Sequence, residues 1–148
     1  MKTNKLFLIY LFLLLPLTLL AQSGKKTNIE NLRLKITVGE KTVLAEFIDS
    51  KTTRDFISLL PLELTMDDLN EREKYSYLPK ELSKEGNVTT SFQEGDLSYW
   101  LGGGLAAFYN DDKHQVKAGL IVMARLGKDI KLFKVPGAVK VRFEAVKK

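Results

Sequence analysis

Two stretches near opposite ends of this chain follow a strict two-residue rule. "AVKVRFEAV" sets Val139, Val141, Phe143 and Ala145 on one side and Lys140, Arg142 and Glu144 on the other. "LRLKITV" does the same, with Leu32, Leu34, Ile36 and Val38 against Arg33, Lys35 and Thr37. Successive side chains of a strand point to opposite faces, so each stretch predicts a strand that buries one face and wets the other. Two such strands can pair with each other and remove the exposed edges that invite aggregation. The chain is therefore constrained to a β fold that brings its ends together.

The intervening sequence fits that constraint. Gly39-Glu40 is a Gly-first pair suited to a two-residue hairpin. "KTVLAEFI" returns from it as a strand with apolar residues on both faces, which suggests a more central place than the first strand. "DSKTTRDFISLLP" changes period: Phe56, Leu59 and Leu60 stand at helical spacing, with Ser50, Thr52 and Thr53 as N-cap candidates and Asp55 near the positive end of the dipole. Pro61 ends the helix. "LELTM" alternates again. "DDLNEREKYSYLPKELSKEGNVTTS" has no clean period and reads as a long connection, with room for a helical turn at residues 79–82. "GDLSYW" and "LAAFY" are β-like blocks separated by Gly102-Gly103-Gly104. "QVKAGLIVMARLG" is a third, with Val116, Leu120, Val122 and Ala124 on one face. Many short strands, one short helix and Gly/Asp/Asn turns describe a mainly β domain, either a closed barrel or a compact sandwich.

The N-terminus speaks to destination. Lys2 and Lys5 precede "LFLIYLFLLLPLTLLA", an apolar run interrupted by Pro16 and shorter than the roughly 20 residues a spanning helix needs. A basic start, an apolar centre and a small residue at the end form the layout of a secretory signal peptide. Cleavage is expected after Ala21. The expected organisation is a signal peptide at residues 1–21, a flexible polar lead at 22–31 and one domain at 32–148, exported to the periplasm or the medium. There is no cysteine. A lipoprotein anchor and disulfides are thereby excluded, and the core alone must hold the fold.

Charge and motif narrow the chemistry. Removing the leader with its two lysines takes the formal charge from +5 to +3. Lysines and acids interleave, as in "NEREKYSYLPKELSKEG", with no basic stripe of the kind nucleic-acid binding requires. His114 is the only histidine. Sited in polar "NDDKHQVK", it reads as an exposed, idle imidazole. Without a second His or any Cys, zinc-type centres and His-based triads are excluded. Asp111-Asp112 fit a turn. The three glycines lack a following Lys-Ser/Thr, and no G-x-G-x-x-G spacing exists, so no phosphate or dinucleotide cradle is encoded. No cofactor is expected, and no stable membrane insertion once the leader is gone.

The order of blocks resembles the small cyclophilin-like domain proteins of bacteria. The matching residues are Leu60-Pro61, Glu73-Lys74, Leu78-Pro79, Gly95-Asp96, Tyr99-Trp100, Phe108-Tyr109 and Leu126-Gly127. The resemblance covers roughly residues 32–146. It implies a closed, eight-stranded or similar cyclophilin-like β-barrel with one or two short helices, one of them plugging an end. The family's isomerases hold a catalytic Arg in a Phe-His-Arg-Val/Ile strand followed by Gln-Gly-Gly-Asp. Neither motif occurs here. Arg72, between Glu71 and Glu73, is expected to be paired on the surface.

The remaining signal is aromatic. Adjacent rings on a strand face opposite ways, so Tyr99 and Trp100 cannot both be core, nor can Phe108 and Tyr109. In the resembled fold, Tyr75 and Tyr77 come near these rings. Glu73, Lys74, Tyr75, Tyr99, Trp100, Phe108 and Tyr109 are the candidate lining of a shallow apolar pocket for a small molecule or peptide. The expected function is a non-catalytic binding module. A divergent peptidyl-prolyl isomerase is the alternative, distinguished by an Arg facing an open apolar groove.

Overall fold

A computed structural model describes residues 28–148. The expected signal peptide and residues 22–27 lie outside the described residues. The chain order is a 3₁₀ turn (Ile29–Asn31), β1 (Leu32–Val38), β2 (Lys41–Phe47), α1 (Lys51–Ser58), β3 (Leu62–Leu69), β4 (Glu73–Tyr77), β5 (Val88–Thr89), β6 (Asp96–Trp100), β7 (Gly104–Phe108), β8 (Leu120–Arg125), a second 3₁₀ segment (Gly127–Phe133) and β9 (Val139–Lys147). Ile29 is buried and Asn31 accepts a hydrogen bond from Lys148 N–H, so the fold begins within the segment read as a lead.

The two alternating ends pair as expected. β1 lies antiparallel to β9, with Ile36 opposite Phe143 and Val38 opposite Val141. From there the sheet runs β1–β9–β3–β4–β7–β6–β8, and β2 joins β1 to β8 and closes it. The closure is carried by the pairs Glu46↔Arg125 and Phe47↔Ala124. The result is a closed antiparallel barrel of eight strands, with β5 added alongside β8. Leu34, Ile36, Met66, Leu97, Tyr99, Leu105, Met123, Val141 and Phe143 fill its interior.

Local chemistry explains the turns. Gly39 takes a φ of +59° in the β1–β2 hairpin, a conformation cheap only for glycine. Ser50 caps α1 by accepting from Thr53 N–H, and the Thr53 hydroxyl in turn bonds the Ile48 carbonyl. The Phe56 side chain then enters the barrel and meets Phe143 edge-on, with centroids 6.0 Å apart. This is the plugging helix, two residues shorter than the apolar spacing suggests: it ends at Ser58, and Leu59 and Leu60 lie beyond it, only partly buried.

Four expectations need correction. β2 is not central: Leu44 on its outer face is 48% exposed. Residues 67–91 are not one connection. β3 extends to Leu69, Asn70 and Glu71 turn with φ of 57° and 50°, and β4 follows at once. Its inward residue is Lys74, whose charge breaks the apolar alternation that would have announced a strand. No helical turn forms at residues 79–82; that segment bends irregularly and buries Leu82. In β8 a bulge opposite Leu97/Ser98 shifts the phase, so Leu120 and Ala124 do not share a face. Ala124 joins the interior while Leu120 joins a separate outer cluster with Phe92, Ala106 and Phe108.

Phe56 is fully buried. Truncation to alanine leaves a cavity and should cost about 3–5 kcal/mol. Urea melts of the two proteins check this; a loss below about 1 kcal/mol is what a surface helix would give.

Candidate ligand-binding groove

Alternation along three adjoining strands builds a groove on the outer wall of the barrel. On β4, Glu73, Tyr75 and Tyr77 face outward while Lys74 faces in. On β6, Trp100 faces out and Tyr99 in; on β7, Ala106 and Phe108 face out and Leu105 and Ala107 in. The outward row encloses about 360 Å³, bounded by Tyr75, Tyr77, Trp100 and Phe108, with Arg72, Glu73 and His114 at the polar side. Tyr77 and Trp100 meet at 5.6 Å between centroids.

The glycine run serves this wall. Leu101, Gly102 and Gly103 turn between β6 and β7. A Cβ on Gly102 would stand 2.3 Å from Trp100 Cζ2, so only glycine lets the indole lie across the turn. A Cβ on Gly104 would meet the Ser76 carbonyl oxygen at 2.8 Å, so glycine also permits the close approach of β7 to β4. Gly103 carries a φ of +106°.

Arg72, just before β4, is paired as expected but not on the surface: it is 6% exposed. Nε donates to Glu73 Oε2 at 2.9 Å, and Nη1 lies 3.7 Å from Asp112. The guanidinium sits 5.6 Å from the centre of the Phe92 ring. Its terminal nitrogens make no hydrogen bond among the described residues, which leaves a donor fork at the groove's edge. Burial pushes the Glu73 carboxyl above its ordinary value of 4.5; the Arg72 hydrogen bond and charge oppose the rise, Asp112 adds to it and His114 counters.

The seven candidate residues therefore divide. Glu73, Tyr75, Trp100 and Phe108 line the groove. Lys74, Tyr99 and Tyr109 lie on the inward side and do not reach it. Lys74 is fully buried and donates to Asp68 Oδ2 at 2.7 Å and to the carbonyls of Val135 and Gly137. The Tyr109 hydroxyl donates to the same Asp68 oxygen. Tyr99 accepts from Leu82 N–H through its hydroxyl at 3.3 Å. Burial raises the Tyr109 hydroxyl above its ordinary value, and the adjacent Asp68 carboxylate raises it further. Burial resists ionisation of Asp68, yet the Lys74 amine, the Tyr109 hydroxyl and the Glu71 N–H together hold its carboxyl low. A second cavity of about 410 Å³ opens at this end, beside Asp68, Tyr109 and residues 134–137.

Asp111 and Asp112 cap their own turn, accepting from Lys113 and His114 N–H. Among the described residues no group of three or more His, Asp or Glu side chains is placed to hold a metal ion. The sequence reading missed Phe92 altogether; its signal was a single aromatic in the polar run "TTSFQEG".

The eight-stranded closed antiparallel barrel plugged by a short helix is a cyclophilin-like fold. The profile of the cyclophilin-like family matches residues 36–144, and the chain belongs to that family. The solution structure of the hypothetical protein AF2241 from Archaeoglobus fulgidus is similar, with a TM-score of 0.60 at 22% identity over 78% of this chain and 95% of that one. That likeness is one of fold. No curated protein matches the chain.

The raised Glu73 carboxyl predicts a pH dependence. A group with a raised folded-state pKa contributes stability that is full below its unfolded value and is lost as pH rises through the folded one. Glu73→Gln should flatten the fall in melting temperature above pH 4.5. Thermal melts from pH 4 to 8 check it; parallel profiles for the two proteins would refute it.

Proposed function

We propose that the protein is an exported, non-catalytic binding module whose outer groove takes a peptide or small apolar ligand. The observation that carries this reading is the outward row of Tyr75, Tyr77, Trp100 and Phe108 beside the unfilled Arg72 fork. Aromatic faces supply contact area at low entropic cost, and a guanidinium fork recognises an acceptor oxygen with directional hydrogen bonds. Glu73 already neutralises much of the Arg72 charge and Asp112 stands nearby. The fork therefore favours an uncharged acceptor, such as a peptide carbonyl, over an anion.

Trp100 is the only tryptophan, so its fluorescence reports the groove directly. Titration with short X-Pro and aromatic peptides should shift it. Tyr77→Ala removes an exposed wall and should weaken binding about tenfold, equivalent to about 1.4 kcal/mol. Unchanged emission with every peptide would refute the reading.

Arg72 at the groove's edge is the one observation that favours a divergent prolyl isomerase. Against it stand the Arg72–Glu73 pair and the missing Phe-His-Arg strand. Uncatalysed isomerisation takes about 10–100 s at 25 °C, slow enough for weak catalysis to be visible. The expected rate is that of buffer; acceleration that disappears in Arg72→Ala would establish the isomerase instead.

Export rests on the basic and apolar leader. Intact mass of protein from the native host should correspond to a chain starting at or near Gln22. Retention of residues 1–21 would refute it.

A further inference from the structure

We infer that a cleft beside the start of α1, separate from the aromatic groove, is a second binding site and that its ligand is a neutral saccharide. The cleft encloses about 460 Å³ and shares no lining residue with the groove. That volume lies within the range of small-ligand sites, roughly 300–1,000 Å³.

The walls are fixed to each other. One is the turn into α1, with Asp49 and Ser50; the other is the segment carrying Asn87, Thr89, Ser91 and Gln93. The hydroxyl of buried Thr52 donates to the Ser83 carbonyl at 2.6 Å, and Asp55 accepts from Ser83 N–H at 2.8 Å, so the second segment is tied to the helix just upstream of the cleft. Gly86 lets it close in: a Cβ there would stand 2.8 Å from Ile121 Cγ2 and 3.5 Å from Ser50 Cβ.

Each acid of the lining has its own arginine. Asp49 Oδ2 accepts from Arg54 Nη2 at 2.7 Å, and the nearly buried Asp96 accepts from Arg125 Nε at 3.1 Å. A charged ligand would give up its hydration here for no net counter-charge. The polar capacity left over is chiefly that of uncharged amides. Asn87 and Gln93 are exposed, and their side-chain amides make no hydrogen bond among the described residues; nor do the terminal nitrogens of Arg125. A primary amide sets a donor beside an acceptor. Neighbouring hydroxyls, each of which both donates and accepts, match that arrangement, and the guanidinium adds fixed donors. The apolar side of the cleft is Ile48, 36% exposed, with Val122 and Ile121. A sugar ring presents both surfaces such a cleft needs, a C–H face and a rim of hydroxyls.

The test follows side-chain N–H resonances by NMR in isotope-labelled protein. Methyl α-mannopyranoside, methyl β-glucopyranoside and methyl β-galactopyranoside are titrated in turn, with inorganic sulfate as the charged control. At least one glycoside should give saturable shifts at Asn87 and Gln93 with a Kd of about 1 mM or below, while the Trp100 indole N–H stays in place and sulfate does not bind. Asn87→Ala and Gln93→Ala, which remove no internal hydrogen bond of a side chain, should each weaken that binding about fivefold. If one variant loses its native spectrum, the other decides. No saturable shift with any glycoside, unchanged affinity in the folded variants, or binding of sulfate in place of the glycosides overturns the inference. Shifts at Trp100 and not at the cleft would also overturn it, and would place the sugar in the aromatic groove instead.

Discussion

Lys74 is the fixed point of this barrel. A lysine side chain with no exposed surface must find a counter-charge and an acceptor for every proton, or its burial is prohibitive. Here each of the three donors is used: one on Asp68, one on the Val135 carbonyl and one on the Gly137 carbonyl. Those acceptors belong to β3 and to the crossing into β9, so one ammonium ties three parts of the chain together. Removing one partner of such a pair typically costs about 3–5 kcal/mol, because the other charge stays buried. β4 cannot slip by one residue without turning that charge out and Tyr75 in. The outward placement of Glu73, Tyr75 and Tyr77 is a consequence of what Lys74 requires.

The groove inherits its rigidity from this arrangement. Its wall is the reverse side of strands whose inner side is packed with Leu97, Tyr99, Leu105 and Ala107. The outer cluster of Phe92, Ala106, Phe108 and Leu120 is a second, smaller core built on the same backbone. Arg72 is buried against the outer cluster, its guanidinium 5.6 Å from the centre of the Phe92 ring. Its pair with Glu73 is nearly buried and holds the guanidinium in place while the terminal nitrogens remain unbonded. The Arg72–Glu73 pair thus fixes a polar group in advance at the groove's edge.

Much of the fold was legible because it rests on alternation. β1 and β9 obey it, pair as expected, and leave no open edge between them. The Gly39 hairpin and the Ser50 cap were legible from turn and cap chemistry. β4 was not, since a charged residue at its buried position mimics a loop. The phase of β8 was not, because a bulge is a register event between two strands and leaves no mark on one of them alone. At the site, facing rules separated Tyr99 from Trp100 and Phe108 from Tyr109 correctly, but could not say which of each pair lined the groove. Grouping Lys74 with Glu73 failed for the same reason that Tyr99 and Trp100 diverge. Phe92 carried no periodic signal at all, being one ring in a polar run.

The division of labour between the two faces of the barrel bears on what the family membership can mean. The inner face answers to packing, and a chain at 22% identity can reproduce it. The outer row answers to nothing in the barrel's closure. Trp100 demands Gly102, and Phe108 accepts Phe92, yet neither contact is needed to pair β6 with β7. Side chains that the fold does not require, held rigidly by a backbone that it does, are where function can change without loss of structure. Ser98 makes the same point from the opposite direction. An unsatisfied buried hydroxyl costs about 1–3 kcal/mol, and a small apolar residue would fill the position without that penalty. The barrel's own stability gives no reason for a hydroxyl there.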